Sequence, residues 1–94
     1  MKLNEALKKL KDLEINDFIS GKTGEVHLED AEVLIYDIFE TTELDLDVDE
    51  ILKKLEELEI DDFLSGKTGK VHLEDVEVLI YDIFEKVKKW FLKF

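Results

Sequence analysis

Three residue patterns in this chain have the types and part of the spacing that chemistry needs. Gly21-Lys22-Thr23 and Gly66-Lys67-Thr68 have the wording of the end of a phosphate-binding loop. That loop requires a further glycine five places before the first of these, so that backbone amides can cradle phosphates. Asn16 and Asp61 stand there instead, which excludes the motif. Asp45-x-Asp47-x-Asp49 with Glu56 has part of the oxygen spacing of a calcium loop. The sixth place, where a sharp turn demands glycine, holds Glu50, and a helical pattern runs through it, so this reads as a solvated acidic linker. His27 and His72 each precede an aspartate, Asp30 or Asp75, by three residues. If the extended pieces carrying them pair, the imidazoles and carboxylates approach a metal-ligand set. Two equivalent surface histidines are the simpler expectation. With no cysteine and no serine–histidine–aspartate order, no activated nucleophile is implied. Carboxylates are too abundant for any pair to signal acid–base catalysis, and a non-enzyme without cofactor is expected.

These patterns sit in a repeat. Residues 6–40 and 51–85 agree at 28 of 35 positions, and all four glycines fall in the two Ser-Gly-Lys-Thr-Gly turns. The differences are Ala6/Ile51, Lys11/Glu56, Asp12/Glu57, Asn16/Asp61, Ile19/Leu64, Glu25/Lys70 and Ala31/Val76. A unit present twice predicts a pseudo-two-fold domain instead of a solenoid. Identity this high implies a recent duplication or a de novo designed sequence.

Within each unit the periodicity predicts the elements. Leu3, Ala6, Leu7, Leu10 and Leu13 predict an amphipathic helix over 3–14, with Asn4 as its N-cap. Ile51, Leu52, Leu55 and Leu58 repeat the stripe, with Asp49 as the counterpart of Asn4, and the linker before it ends on Asp47 or Asp49 as the cap. The helical phase breaks at Ile15 and Ile60, where a frayed turn or a short strand fits. The glycine turn follows, then the alternating Glu25–Leu28, then a helix apolar almost all round. Ala31, Leu34, Ile35, Ile38 and Phe39 make its main stripe, with Val33 and Tyr36 off it. Such a helix is expected to be buried on more than one side.

The expected fold is mainly α, one domain over 1–94. Two tandem helix-loop-helix repeats, 4–40 and 49–85, are joined by linker 41–48 in a pseudo-two-fold four-helix domain with a short antiparallel ribbon at Val26 and Val71. The alternative is an α+β fold with two hairpins, if Ile15–Ser20 and Glu25–Leu28 are both strands. The expected core is Leu7, Leu10, Leu34, Ile35, Ile38, Phe39, Leu55, Leu79, Ile80, Ile83 and Phe84.

The unit resembles an EF-hand. Gly24 and Gly69 align with that motif's turn glycine, and Val26 and Val71 with the residue bridging paired loops. Ala31, Leu34, Ile35 and Ile38 match core positions of its exiting helix. Ser-Gly-Lys-Thr-Gly and His-Leu resemble the longer first loop of the S100 branch, which holds calcium mainly through backbone carbonyls. The oxygen-ligand places hold Ile19, Gly21 and Thr23, or Leu64, Gly66 and Thr68, and Asp30 or Asp75 replaces the bidentate glutamate. The loop is a residue shorter than the S100 one, although Glu32 or Glu77 could close it. The resemblance implies a paired helix–loop–helix shape more than it implies calcium.

The net charge of −12 is uneven: Lys86–Phe94 holds four lysines and no acid. An acidic body without arginine repels phosphate backbones and lacks their best reader, which argues against nucleic acid. No apolar run approaches a membrane span, and the N-terminus has no apolar signal region, so a cytoplasmic protein is expected. The functional expectation is a non-catalytic structural or protein-interaction domain, with calcium binding through degenerate loops as the alternative. Trp90, Phe91 and Phe94 are the candidate interaction residues, for docking a partner protein or for self-association, because aromatic side chains carry disproportionate interface energy. The simpler expectation for 86–94 is that it folds back over the domain, with its lysines near the acids of 43–50 or 56–62.

Overall fold

A computed structural model describes residues 1–17, 19–42, 47–62, 64 and 66–92. Among these, the backbone forms four helices: α1 (Leu3–Asp12), α2 (Leu28–Thr42), α3 (Val48–Glu57) and α4 (Leu73–Leu92). Each loop holds three short strands: β1 (Asn16–Asp17), β2 (Gly21–Lys22) and β3 (Glu25–His27), then β4 (Asp61–Asp62), β5 (Gly66–Lys67) and β6 (Lys70–His72). The fold is mainly α, with a small antiparallel ribbon. The hairpins of the α+β alternative, 15–20 against 25–28 in each repeat, are not the ones that form: 16–17 pairs with 21–22 and 61–62 with 66–67, while 25–27 pairs with 70–72 of the other repeat. Strands so short add little to a body made of helices.

The ribbon joins the repeats. β3 pairs with β6 in the register Glu25↔His72, Val26↔Val71, His27↔Lys70, so the two valines oppose each other at its centre. Both are fully buried. Each strand leads straight into a helix whose first amide is held by the other repeat. Leu28 N donates to Gly69 O and Leu73 N to Gly24 O, each at 2.7 Å. Gly24 and Gly69 have φ of +77° and +75°, a region costly for any residue with a Cβ. Within each loop, Ile15 N donates to Glu25 O while Ile15 O accepts from Thr23 N; Ile60 does the same with Lys70 and Thr68. The phase break at Ile15 and Ile60 therefore marks where the backbone leaves the helix for the loop ladder.

The core is one cluster shared by both repeats: Leu10, Val26, Leu34, Ile35, Ile38 and Phe39 with Leu55, Val71, Leu79, Ile80 and Ile83, completed by Ala6, Ala31, Ile51 and Val76. Leu7 and Phe84, expected inside, are only partly buried against it. α1 packs on α4, and α3 on α2, so the helix contacts repeat under exchange of the units.

Three expectations need correction. Leu13, not Glu14, closes α1 as its C-cap. The N-cap of α1 is Lys2, two residues before the expected Asn4, and of the two acids offered before α3 it is Asp47, not Asp49, that caps. Asp47 Oδ1 accepts from the amides of Asp49 and Glu50 at 3.1 and 3.3 Å, whereas Lys2 offers no side-chain cap. The cause is Leu3 and Val48, which pack against the core and start each helix earlier than the polar residue after them. Finally, α2 is not buried on more than one side: Val33 and Tyr36 are 60% and 49% exposed, and Val78 and Tyr81 on α4 are 59% and 48% exposed.

Candidate functional site

The surplus apolar residues of α2 and α4 define the candidate site. In each repeat a groove runs between the first helix and the second. Lys9, Asp12 and Leu13 line one side of the first groove, and Asp30, Val33, Leu34 and Asp37 the other. Its volume is about 310 Å³. The second groove, about 290 Å³, has the equivalent lining: Lys54, Glu57 and Leu58 opposite Asp75, Val78 and Leu79. In both, leucine and valine form an apolar floor and carboxylates form most of the rim. The helical register places these groups: Val33 and Asp37, and likewise Asp30 and Leu34, are four residues apart and share a face. Leu34 and Leu79 reach the core from the same helices. Tyr36 and Tyr81 stand three residues beyond the exposed valines.

A wider cleft, about 590 Å³, opens between the second loop and the start of α2. His27, Glu29, Asp30, Glu32 and Glu59 line it together with the backbone of Gly69. The pairing that would bring the histidines together does form. On the outer face of the ribbon His27 stands opposite Lys70 and His72 opposite Glu25, with the two imidazoles on a diagonal. Even so, no group of three or more histidine, aspartate or glutamate side chains converges as a metal site among the described residues. The carboxylate that meets each turn is one the sequence did not single out. Glu14 Oε2 lies 3.8 Å from where a Cβ on Gly24 would stand, and Glu59 Oε2 3.7 Å from the same point on Gly69.

The Gly-Lys-Thr turns connect strand to strand, and each helix begins only after a further strand, so the amides of a helix N-terminus do not follow the lysine as a phosphate loop requires. Of the acidic series, Asp47 is a helix cap, Asp49 lies in the first turn of α3, and Asp45 lies outside the described residues. Trp90 and Phe91 belong to the backbone of α4, which at 20 residues outlasts the 15 of α2. Their side chains and Phe94 lie outside the described residues, as does the packing of 86–94 against the acids of 43–50 or 56–62. No helix among the described residues is long and apolar enough to cross a membrane.

The grooves were not anticipated from the sequence. The available signal was the placement of Val33 and Tyr36 off the buried stripe, repeated at Val78 and Tyr81. Compared with known protein families, curated proteins and solved structures, the chain matches none.

Proposed function

We propose that this chain is a non-catalytic protein-interaction domain whose two equivalent grooves each take an amphipathic basic helix of a partner protein. The observation that carries this reading is the paired exposure of Val33 with Tyr36 and Val78 with Tyr81 beside grooves floored by leucine. A single exposed apolar residue needs no explanation. The same valine and tyrosine are exposed at equivalent places in both repeats, the valine lining the groove and the tyrosine three residues on, outside its lining, and they form a patterned surface. Asp12, Asp30 and Asp37 around one groove, with Glu57 and Asp75 around the other, favour a partner whose apolar stripe is flanked by lysine or arginine. Trp90, Phe91 and Phe94 are a second interaction element, present once per chain.

The test is calorimetric titration with a synthetic amphipathic helix built from leucine and lysine, against the parent chain and a Val33→Asp, Val78→Asp variant. The parent binds two peptides per chain, the affinity falls with salt, and the variant loses binding. General attraction to an acidic protein would leave the variant, which is more acidic, binding as well or better, and that outcome sinks the proposal. On a chain lacking residues 87–94, which keeps both grooves and loses the cationic segment, a leucine–glutamate peptide is the negative control.

The alternative, calcium binding through the two loops, makes a different demand. It requires heat on calcium titration at physiological salt with affinity tighter than about 0.1 mM. The interaction reading requires none.

A further inference from the structure

The two repeats meet through contacts that exchange into themselves. β3 pairs with β6 about the Val26↔Val71 centre, α1 packs on α4, and α3 packs on α2 in the equivalent way. None of these contacts requires both repeats to lie on one chain. We infer that the repeat-to-repeat surface is an exchangeable docking surface, that the partner it fits is a second copy of this chain, and that Ala6, Ala31, Ile51 and Val76, with Glu25 and Lys70, restrict it to unlike pairing, first repeat against second.

The core carries the first half of the argument. Among the buried residues described, the repeats differ at two positions, Ala6 against Ile51 and Ala31 against Val76, and all four are almost fully buried in one cluster. Both differences run the same way: the first repeat is small where the second is large. Pairing two first repeats would leave the core short by roughly five side-chain carbons, and pairing two second repeats would overfill it by as many. Interiors are packed too closely to absorb either change without loss. Only the unlike pair has the native volume.

The ribbon carries the second half, independently. Its outer face places Glu25 and Lys70 on one diagonal across the centre, a separation of roughly 7–8 Å at which opposite charges still attract. Pairing two first repeats sets Glu25 against its own copy on that diagonal, and pairing two second repeats sets Lys70 against its own. The charge change therefore selects against the same two mispairings as the volume change. In the single chain the connection between repeats supplies an effective concentration in the millimolar range, which holds the closed monomer at ordinary concentrations. When the interface opens, the unlike repeat of another copy fits it equally well, giving an exchanged dimer with two native interfaces.

The inference does not rest on the grooves, and its test is separate from theirs. Two full-length variants are made: A6I with A31V, large in both repeats, and I51A with V76A, small in both. Each is unfolded in denaturant and refolded alone and as an equimolar mixture. Native mass spectrometry then reads assembly and a thermal scan reads stability. Alone, each chain closes on a mispacked core or fails to fold. Mixed, they form a one-to-one heterodimer with two small-against-large interfaces, and the unfolding midpoint rises by about 10 °C over either chain alone. A mixture that melts as the sum of its components, with no heterodimer, overturns the proposal, and so does a mixture in which both chains remain unfolded. The quadruple variant A6I, A31V, I51A, V76A exchanges the two roles. It stays monomeric and melts close to the parent; if it melts as low as the double variants, the positions are not interchangeable and the inference fails.

Discussion

The two first-turn caps make a comparison inside one molecule. Asp47 occupies the N-cap of α3 with extended backbone, φ −78° and ψ 98°, and its Oδ1 takes the amides of Asp49 and Glu50. Lys2 occupies the equivalent place before α1, also extended at φ −88° and ψ 155°, but its side chain accepts nothing. It also puts a cation beside the positive end of the helix. Replacing a good cap by alanine costs about 1 kcal/mol, and a charge of the wrong sign at the helix start adds about 0.3–1 kcal/mol. Asp47→Ala therefore loses about 1 kcal/mol, and Lys2→Asp gains about 1–2 kcal/mol from the cap and the charge reversal together. For a chain of this size each kcal/mol moves the thermal midpoint by roughly 4–8 °C. The assay is thermal and urea unfolding of the parent, both single variants and Asn4→Ala. Asn4 lies inside the first turn of α1, where alanine is the better helix former, so Asn4→Ala is neutral or slightly stabilising. If Asn4→Ala loses as much as Asp47→Ala while Lys2→Asp changes nothing, α1 starts at Asn4 after all and the capping argument is wrong.

Leu10→Ala and Leu55→Ala remove equivalent, fully buried side chains and should each cost about 2–5 kcal/mol; urea midpoints that differ widely between them would break the equivalence of the repeats. Gly24→Ala meets only an ordinary contact at Glu14, so its cost is conformational, about 1–2 kcal/mol from a φ of +77°. Gly24→Asn recovers part of that loss, because asparagine tolerates this conformation better, and a full loss in both variants would point to a clash instead. Deleting residues 87–94 lowers the unfolding midpoint at every protein concentration if the segment packs on its own domain. If the truncated chain is equally stable and light scattering changes from dimer to monomer, the segment is an interface.

Much of the helical body was legible because period-3.6 stripes of leucine and isoleucine are strong signals. Leu10, Leu34, Ile35, Ile38 and their counterparts lie where that period puts them. The missed core members were of a different kind. Ala6 and Ala31, with their counterparts Ile51 and Val76, lie on the predicted stripes but outside the expected core, and all four are buried in the cluster the two repeats share. Val26 and Val71 sit at the centre of the expected ribbon, but their full burial comes from pairing between repeats 45 positions apart, which three-residue strands do not announce. The start of α1 differs from Asn4 because packing of Leu3, not the first polar side chain, decides where the helix begins, whereas Asp47 before α3 is among the caps the sequence offers. The grooves were illegible for a related reason. All-round apolarity on α2 looks like burial from the sequence, and only the absence of a neighbour over Val33 and Tyr36 turns it into surface.

That surface also limits what any partner can do. Every feature built from the repeat exists twice: the grooves, the glycine turns, the ribbon histidines, the exposed valine–tyrosine pairs. Features outside the repeat exist once, above all the lysine-rich segment 86–94 with Trp90, Phe91 and Phe94. Stoichiometry therefore identifies the working face before any residue is changed. A partner that uses the grooves binds twice per chain, and because Lys9, Leu13, Val33 and Asp37 recur as Lys54, Leu58, Val78 and Asp82, the two affinities differ little. A partner that uses the C-terminal segment binds once, and because that segment is cationic where the grooves are ringed by carboxylates, its partner is acidic. Charge reversal on the probe should then reverse the outcome: a basic amphipathic peptide saturates at two per chain, an acidic one at one, and deletion of 87–94 abolishes only the second. A basic peptide that saturates at one, and is lost with residues 87–94, would transfer the interaction from the grooves to the C-terminal helix.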